Sequence, residues 1–173
     1  HHDGRKENAT VLWPGQPKRY HNGLQPAEGL LYNNDWGGFR SDGKEYIIQL
    51  EKNEQTPAPW ANVIANHRFG FIVTESGGGY IWSENSRENK LTPWSNDPVC
   101  DTMGEILYIR DENTGELWTA TPKPIREAEL YRIRHGFGYS VFEHSSHGIH
   151  QELTVFVPKQ ETVKISILKL KNE

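Results

Sequence analysis

The chain has 173 residues, a formal net charge of −4 and a sequence pI near 6.1. That length suits one domain with a real core rather than two, and the charge leaves no basic patch of the size that nucleic acid or an anionic membrane demands. Residues counted as hydrophobic make up 35% of the chain and no apolar run approaches the roughly 20 residues of a membrane span, so the reading is a globular domain with a wet surface and no nucleic-acid or membrane contact.

The polar N-terminus lacks the apolar stretch of a signal peptide, and Cys100, standing alone, cannot form an intramolecular disulfide. Both fit a reducing cytoplasm. His1 and His2 read as the remnant of an expression tag and enter no site argument.

Residues 1–35 mix Pro, Gly, Asn and charge without a sustained period and read as an arm or long loop, ahead of a β-sandwich domain over 36–173. Ser41, Asp42 and Gly43 then make a turn before a strand over Glu45 to Leu50. "TPAPW" at 56–60 is excluded from a central strand because its two prolines lack N–H donors. "NVIAN" and "FGFIVTES" follow as short strands separated by a turn at His67 and Arg68, and "ESGGGY" reads as a tight turn, without the helix and lysine that a phosphate loop needs.

The second half is more regular. "EILYIRDENTGELWTAT" is a hairpin whose Gly115 supplies the positive φ of a short loop. "PIREAELYRI" allows a helix starting near Pro124 or a strand. A second hairpin spans "GYSVFEHSSHGIHQELTVFVP", where Ile149, Leu153, Val155 and Val157 share a face that places Gln151 on the buried side or at its edge. In "VKISILKLKN" the apolar parity changes between Ile167 and Leu168, which implies a bulge or a strand whose two faces are covered in turn. The sum is an all-β, antiparallel sandwich of short strands.

Three segments could carry chemistry. His144, His147 and His150 have a metal-like spacing, but it crosses the "SSHG" turn and no fourth ligand is arranged, so they read as solvated hairpin histidines and no metal is expected. Glu84, Glu88, Asp97, Asp101 and Asp111 read as turn and ion-pair residues, because loop spacing does not fix the separation that acid–base work requires. "WSENSRENKLTPWSNDP" at 82–98 is the third. Trp82, Asn85, Arg87, Glu88, Asn89, Trp94, Asn96 and Asp97 combine aromatic faces with amides, carboxylates and a guanidinium, the mixture that covers and hydrogen-bonds a sugar. Equally, the tryptophans suit core plugs that anchor a long loop, with the polar groups satisfying its backbone.

The block "TPAPWANVIANHRFGFIVTESGGGYIWSENSRENKLTPWSNDPV", with "WGGFRSDGKEYII", "GEILYIRDENTGELWTATPKPIR" and "HGFGYSVFEHSSHGI" around it, resembles the N-terminal part of glycoside hydrolase family 94, formerly glycosyltransferase family 36. It looks most like the phosphorylase-like region of cyclic β-1,2-glucan synthases and the 1,2-β-oligoglucan phosphorylases, over about the last four fifths of the chain. The resemblance implies a supersandwich-like domain, a helical linker and an (α/α)6 catalytic barrel. On that barrel an Asp protonates the glycosidic oxygen while inorganic phosphate, the co-substrate, attacks with inversion. It therefore implies no catalytic residue and no cofactor within the chain, the catalytic Asp being expected beyond Glu173 with the sandwich itself open to continuation. It also implies a homodimer, a β-linked glucooligosaccharide at the 82–98 loop, and, for a synthase parent, an inner-membrane protein with this region on the cytoplasmic side. A stand-alone carbohydrate-binding module and a purely structural assembly domain remain the alternatives.

Overall fold

A computed structural model describes residues 24–173. Among the described residues there are eleven strands and no helix: β1 Gly37–Phe39, β2 Glu45–Leu50, β3 Ala61–Ala65, β4 Phe69–Thr74, β5 Gly79–Ser83, β6 Tyr108–Arg110, β7 Leu117–Thr119, β8 Tyr131–Gly136, β9 Tyr139–Ser146, β10 Ile149–Phe156 and β11 Ile165–Asn172. They form a six-stranded sheet in the order β1-β2-β8-β9-β10-β11, a three-stranded sheet β3-β4-β5 and a two-stranded sheet β6-β7. Every pairing is antiparallel, which is the all-β sandwich that the short alternating runs imply. Most of the arm over 1–35 lies outside the described residues; its last part bridges the sheet through Leu31 and Phe39.

Side-chain alternation divides the six-stranded sheet into two faces. On the inner face Ile48, Ile133, Phe142, Leu153 and Leu168 stand side by side across five strands. They meet Ile64, Phe71 and Ile81, which form a matching row across the three-stranded sheet. Closing these two rows on each other removes both apolar faces from water, and this burial is the main force holding the layers together.

The next inner row, Leu50, Tyr131, His144, Gln151 and Leu170, contains two polar residues. The β6-β7 hairpin satisfies one of them: Trp118 Nε1 donates to Gln151 Oε1 at 3.0 Å, and Gln151 Nε2 donates to the Thr119 carbonyl at 3.2 Å. The outer face is charged. Arg134 reaches Glu45, Glu143 and Glu152 at 2.9, 3.2 and 3.4 Å, an ion-pair network spanning four neighbouring strands.

Two alternatives left open by the sequence are resolved. Residues 124–130 are irregular and Tyr131–Gly136 is a strand, so "PIREAELYRI" forms no helix; Tyr131 and Ile133 face the core while Arg132 and Arg134 join the outer charge network. β11 carries no bulge, since its register with β10 is continuous from Ile165 to Asn172. Its parity change instead leaves Ile167 on the outer face and Leu170 on the inner face, both exposed.

Candidate functional site: the loop after β5

β5 alternates across its sheet. Ile81 points into the core, so Tyr80 and Trp82 point away from it onto the outer face of the three-stranded sheet. Trp82 stands opposite Gly70, and a Cβ there would come within 2.5 Å of the indole. Glycine is what lets this ring lie flat on the sheet.

The chain then folds back over the same face. Lys90 bridges Trp82, Leu91 N donates to the Ile81 carbonyl and Thr92 Oγ1 accepts from Ile81 N. This return brings Trp94 against Tyr80 with ring centroids 4.8 Å apart, while Tyr80 lies 5.5 Å from Trp82. The result is an aromatic strip, Trp82–Tyr80–Trp94, in which Trp82 is buried and Trp94 half-buried.

Side chains of the loop first stiffen the loop itself. Asn85 Oδ1 accepts the backbone N–H groups of Arg87 and Glu88, and Asp97 Oδ1 accepts those of Val99 and Cys100; such side-chain turns hold a polar loop without a sheet ladder. The Cys100 and Val99 N–H groups help hold the Asp97 carboxyl below the usual carboxylate range. Arg87 and Glu88 form a solvent-exposed pair at 3.2 Å, of little energetic weight. Asn89 and Asn96 are exposed, the latter with φ of 52°.

The structure thus gathers Trp82 and Trp94 on one strip and places Asn85, Arg87, Glu88, Asn89 and Asn96 in water. Trp82 acts as the plug that anchors the loop. The residue missed from the sequence is Tyr80, which links the two tryptophans; its position two residues before Trp82 in a strand was the available signal.

Below the loop's exit lies a buried polar knot. Asp101 accepts hydrogen bonds from Thr74 Oγ1 at 2.7 Å and from Ser76 Oγ, and its backbone N–H donates to the Asp97 carbonyl. Asp101 is therefore a structural clamp between the "ESGGGY" turn and the loop. Beside it, burial pushes the Glu75 carboxyl up, despite hydrogen bonds from Thr56 and from Trp60 N.

The histidine reading needs correction. His144 is fully buried, stacked on Tyr131 at 3.8 Å, with Nδ1 3.0 Å from the Leu130 carbonyl and Nε2 2.9 Å from Glu127. Its strand parity, shared with Phe142, turns it inward. His147 stacks on Trp118 and also reaches Glu127, whereas His150 bonds Ser145. Burial pushes the Glu127 carboxyl up, and His144, Ser146 and His147 together bring it below the usual range. Among the described residues the group with potential ligand atoms within 4.8 Å of one another is Glu127, Glu129 and His144, and its Glu127 and His144 are already paired with each other.

Residues 44–173 match the profile of the Glycosyl hydrolase 94 supersandwich domain. The chain is 39% identical over 144 residues to cyclic β-(1,2)-glucan synthase NdvB of Rhizobium meliloti (strain 1021), covering 83% of this chain and 5% of that protein. It is 32% identical over 140 residues to N,N'-diacetylchitobiose phosphorylase of Vibrio proteolyticus, covering 79% and 17%, and 32% identical over 149 residues to solabiose phosphorylase of Paenibacillus borealis, covering 80% and 18%. It spans less than a fifth of the length of each. The chain belongs to glycosyl hydrolase family 94, as its supersandwich domain.

Proposed function

We propose that this supersandwich serves a phosphorylase or glucan synthase acting on β-1,2-linked glucose chains by inverting phosphorolysis, with inorganic phosphate as co-substrate. In this reading the catalytic Asp belongs to an (α/α)6 barrel outside the chain. The domain buttresses that barrel, contributes to a homodimer and works in the cytoplasm. Its 82–98 loop contacts the oligosaccharide through Trp94, Arg87, Glu88, Asn85, Asn89, Asn96 and Asp97, with Trp82 holding the strip beneath.

The observation carrying the reading is the half-buried Trp94 ring on Tyr80, beside a polar loop whose backbone is already held by its own turns. A stiff loop holds aromatic and polar groups in place before a ligand arrives, which lowers the ordering cost of binding. The match to a glucan synthase supports the choice of glucan.

The test is kinetic, in the full-length parent. Trp94→Ala is expected to lower kcat/KM for β-1,2-linked oligosaccharide by about tenfold, the order of one lost stacking contact, with a melting temperature close to wild type. Unchanged kinetics with a lowered melting temperature would return Trp94 to a purely structural role.

A further inference from the structure

A second concave surface lies at the opposite edge of the three-stranded sheet from the loop. The loop folds over β5, whereas this groove opens along β3, and β4 runs between them. It has a volume of about 510 Å³ and is lined by Asn34, Tyr46, Pro59, Trp60, Ala61 and His135, with Ile48 beneath. That size falls in the range of small-molecule sites.

Its walls are fixed from behind. Trp60 packs edge-on against Trp36 at 6.1 Å and against Tyr46 at 5.8 Å. His135 Nε2 faces the Trp60 carbonyl at 3.1 Å, and its Nδ1 faces Ser140 Oγ at 2.8 Å. Asn62 Nδ2 ties β3 to the Gly136 and Tyr139 carbonyls, both at 2.9 Å.

Among the described residues no Lys, Arg, Asp or Glu lines the groove, and burial pushes the His135 imidazole down to about 4, so it too is neutral near pH 7. An uncharged lining gives no electrostatic reward to a phosphate, a carboxylate or a cation. It suits a neutral ligand with apolar faces and hydroxyl groups. The Tyr46 hydroxyl accepts from Asn34 Nδ2 at 3.1 Å, leaving its own O–H as a donor at the groove wall.

We infer that this groove is an accessory site for a neutral β-linked glucooligosaccharide, separate from the 82–98 loop. The inference rests on the carbohydrate reading of the domain, but not on the loop. The groove would take a segment of the same glucan, with C–H surface against Trp60 and Tyr46 and hydroxyls toward Tyr46 Oη and Asn34. Such a surface holds a long substrate near the enzyme without taking part in the reaction, a gain of effective concentration.

Isothermal titration of the chain with linear β-1,2-glucooligosaccharide tests this, using two variants. Ala61→Arg fills the groove from an exposed position, and Trp94→Ala removes the loop's ring. The expected result is binding that weakens at least tenfold in Ala61→Arg, at unchanged melting temperature, and persists in Trp94→Ala. Equal binding by wild type and Ala61→Arg overturns the groove, as does loss of binding in Trp94→Ala alone. The absence of any binding by the folded wild type also overturns it, since every lining residue is within the chain, while the loop reading keeps its separate kinetic test. Self-association abolished by Ala61→Arg, with no response to glucan, overturns it in favour of a protein contact.

Discussion

Replacing Asp101 by Ala tests whether a buried carboxylate clamps the "ESGGGY" turn to the loop. The side chain accepts from Thr74 Oγ1 at 2.7 Å and from Ser76 Oγ, and the residue is only 5% exposed. A hydrogen bond to a charged group contributes about 1.5–3 kcal/mol. Deleting the carboxylate loses two of them but also removes the cost of keeping a charge dry. The expected loss is therefore near the bottom of the summed range, about 3 kcal/mol, or about 6–12 °C in melting temperature for a domain of this size. Asp101 has φ of 46°, a conformation that Asn tolerates better than Ala. Asp101→Asn keeps one acceptor oxygen as well and is expected to lose only about 1 kcal/mol. Urea unfolding of the three proteins gives the comparison. A loss below 1 kcal/mol for Asp101→Ala, or equal losses for Ala and Asn, would refute the clamp.

Three further outcomes follow from the same structure. A Cβ on Gly78 would sit 2.3 Å from Asp101 Oδ1, so Gly78→Ala is expected to cost about 1–3 kcal/mol, and less in an Asp101→Ala background; additive losses by urea unfolding would show that the two do not touch. Glu75 has its pKa raised by burial, so the folded state binds that proton more tightly than the unfolded chain. Its contribution is intact in acid and is lost as pH rises from the ordinary glutamate range through the raised folded value; melting temperatures of wild type relative to Glu75→Gln should fall over that interval, and a flat or rising difference would contradict the sign. Finally, β11 exposes Ile167 and Leu170 beside its unpaired edge among the described residues, so Leu170→Lys is expected to reduce the self-association proposed above, read by sedimentation, as charged edges do. Unchanged association would place the contact elsewhere.

The strands were legible wherever one face met the core and the other met water. β10 shows this, with Gln151, Leu153 and Val155 buried and their neighbours less so; β2 and β9 are legible only as β-type runs bounded by turns, because Ile47 and Val141 are buried on the outer face as well. "PIREAELYRI" was ambiguous because Arg132 and Arg134 suit an exposed helix as well as the outer face of a sheet, and only the ion pairs with Glu143 and Glu45 decide it. His144 was misplaced by attention to residue type: a histidine beside a turn suggests solvent, yet its parity with Phe142 already pointed inward. In the loop, the mixture of residues was legible but the division of labour was not. Asn85 and Asp97 serve local turns that sequence spacing permits without requiring, and the Tyr80 ring joins the two tryptophans only once the chain has folded back.

The central claim, that the loop after β5 reads sugar through Trp94, is tested most directly by an NMR titration following the indole N–H signals of the six tryptophans. β-1,2-linked glucooligosaccharides are expected to move the Trp94 signal saturably, with β-1,4-linked chains of equal length leaving it in place. A Trp94 signal that stays fixed, or that moves equally with both linkages, would contradict the claim.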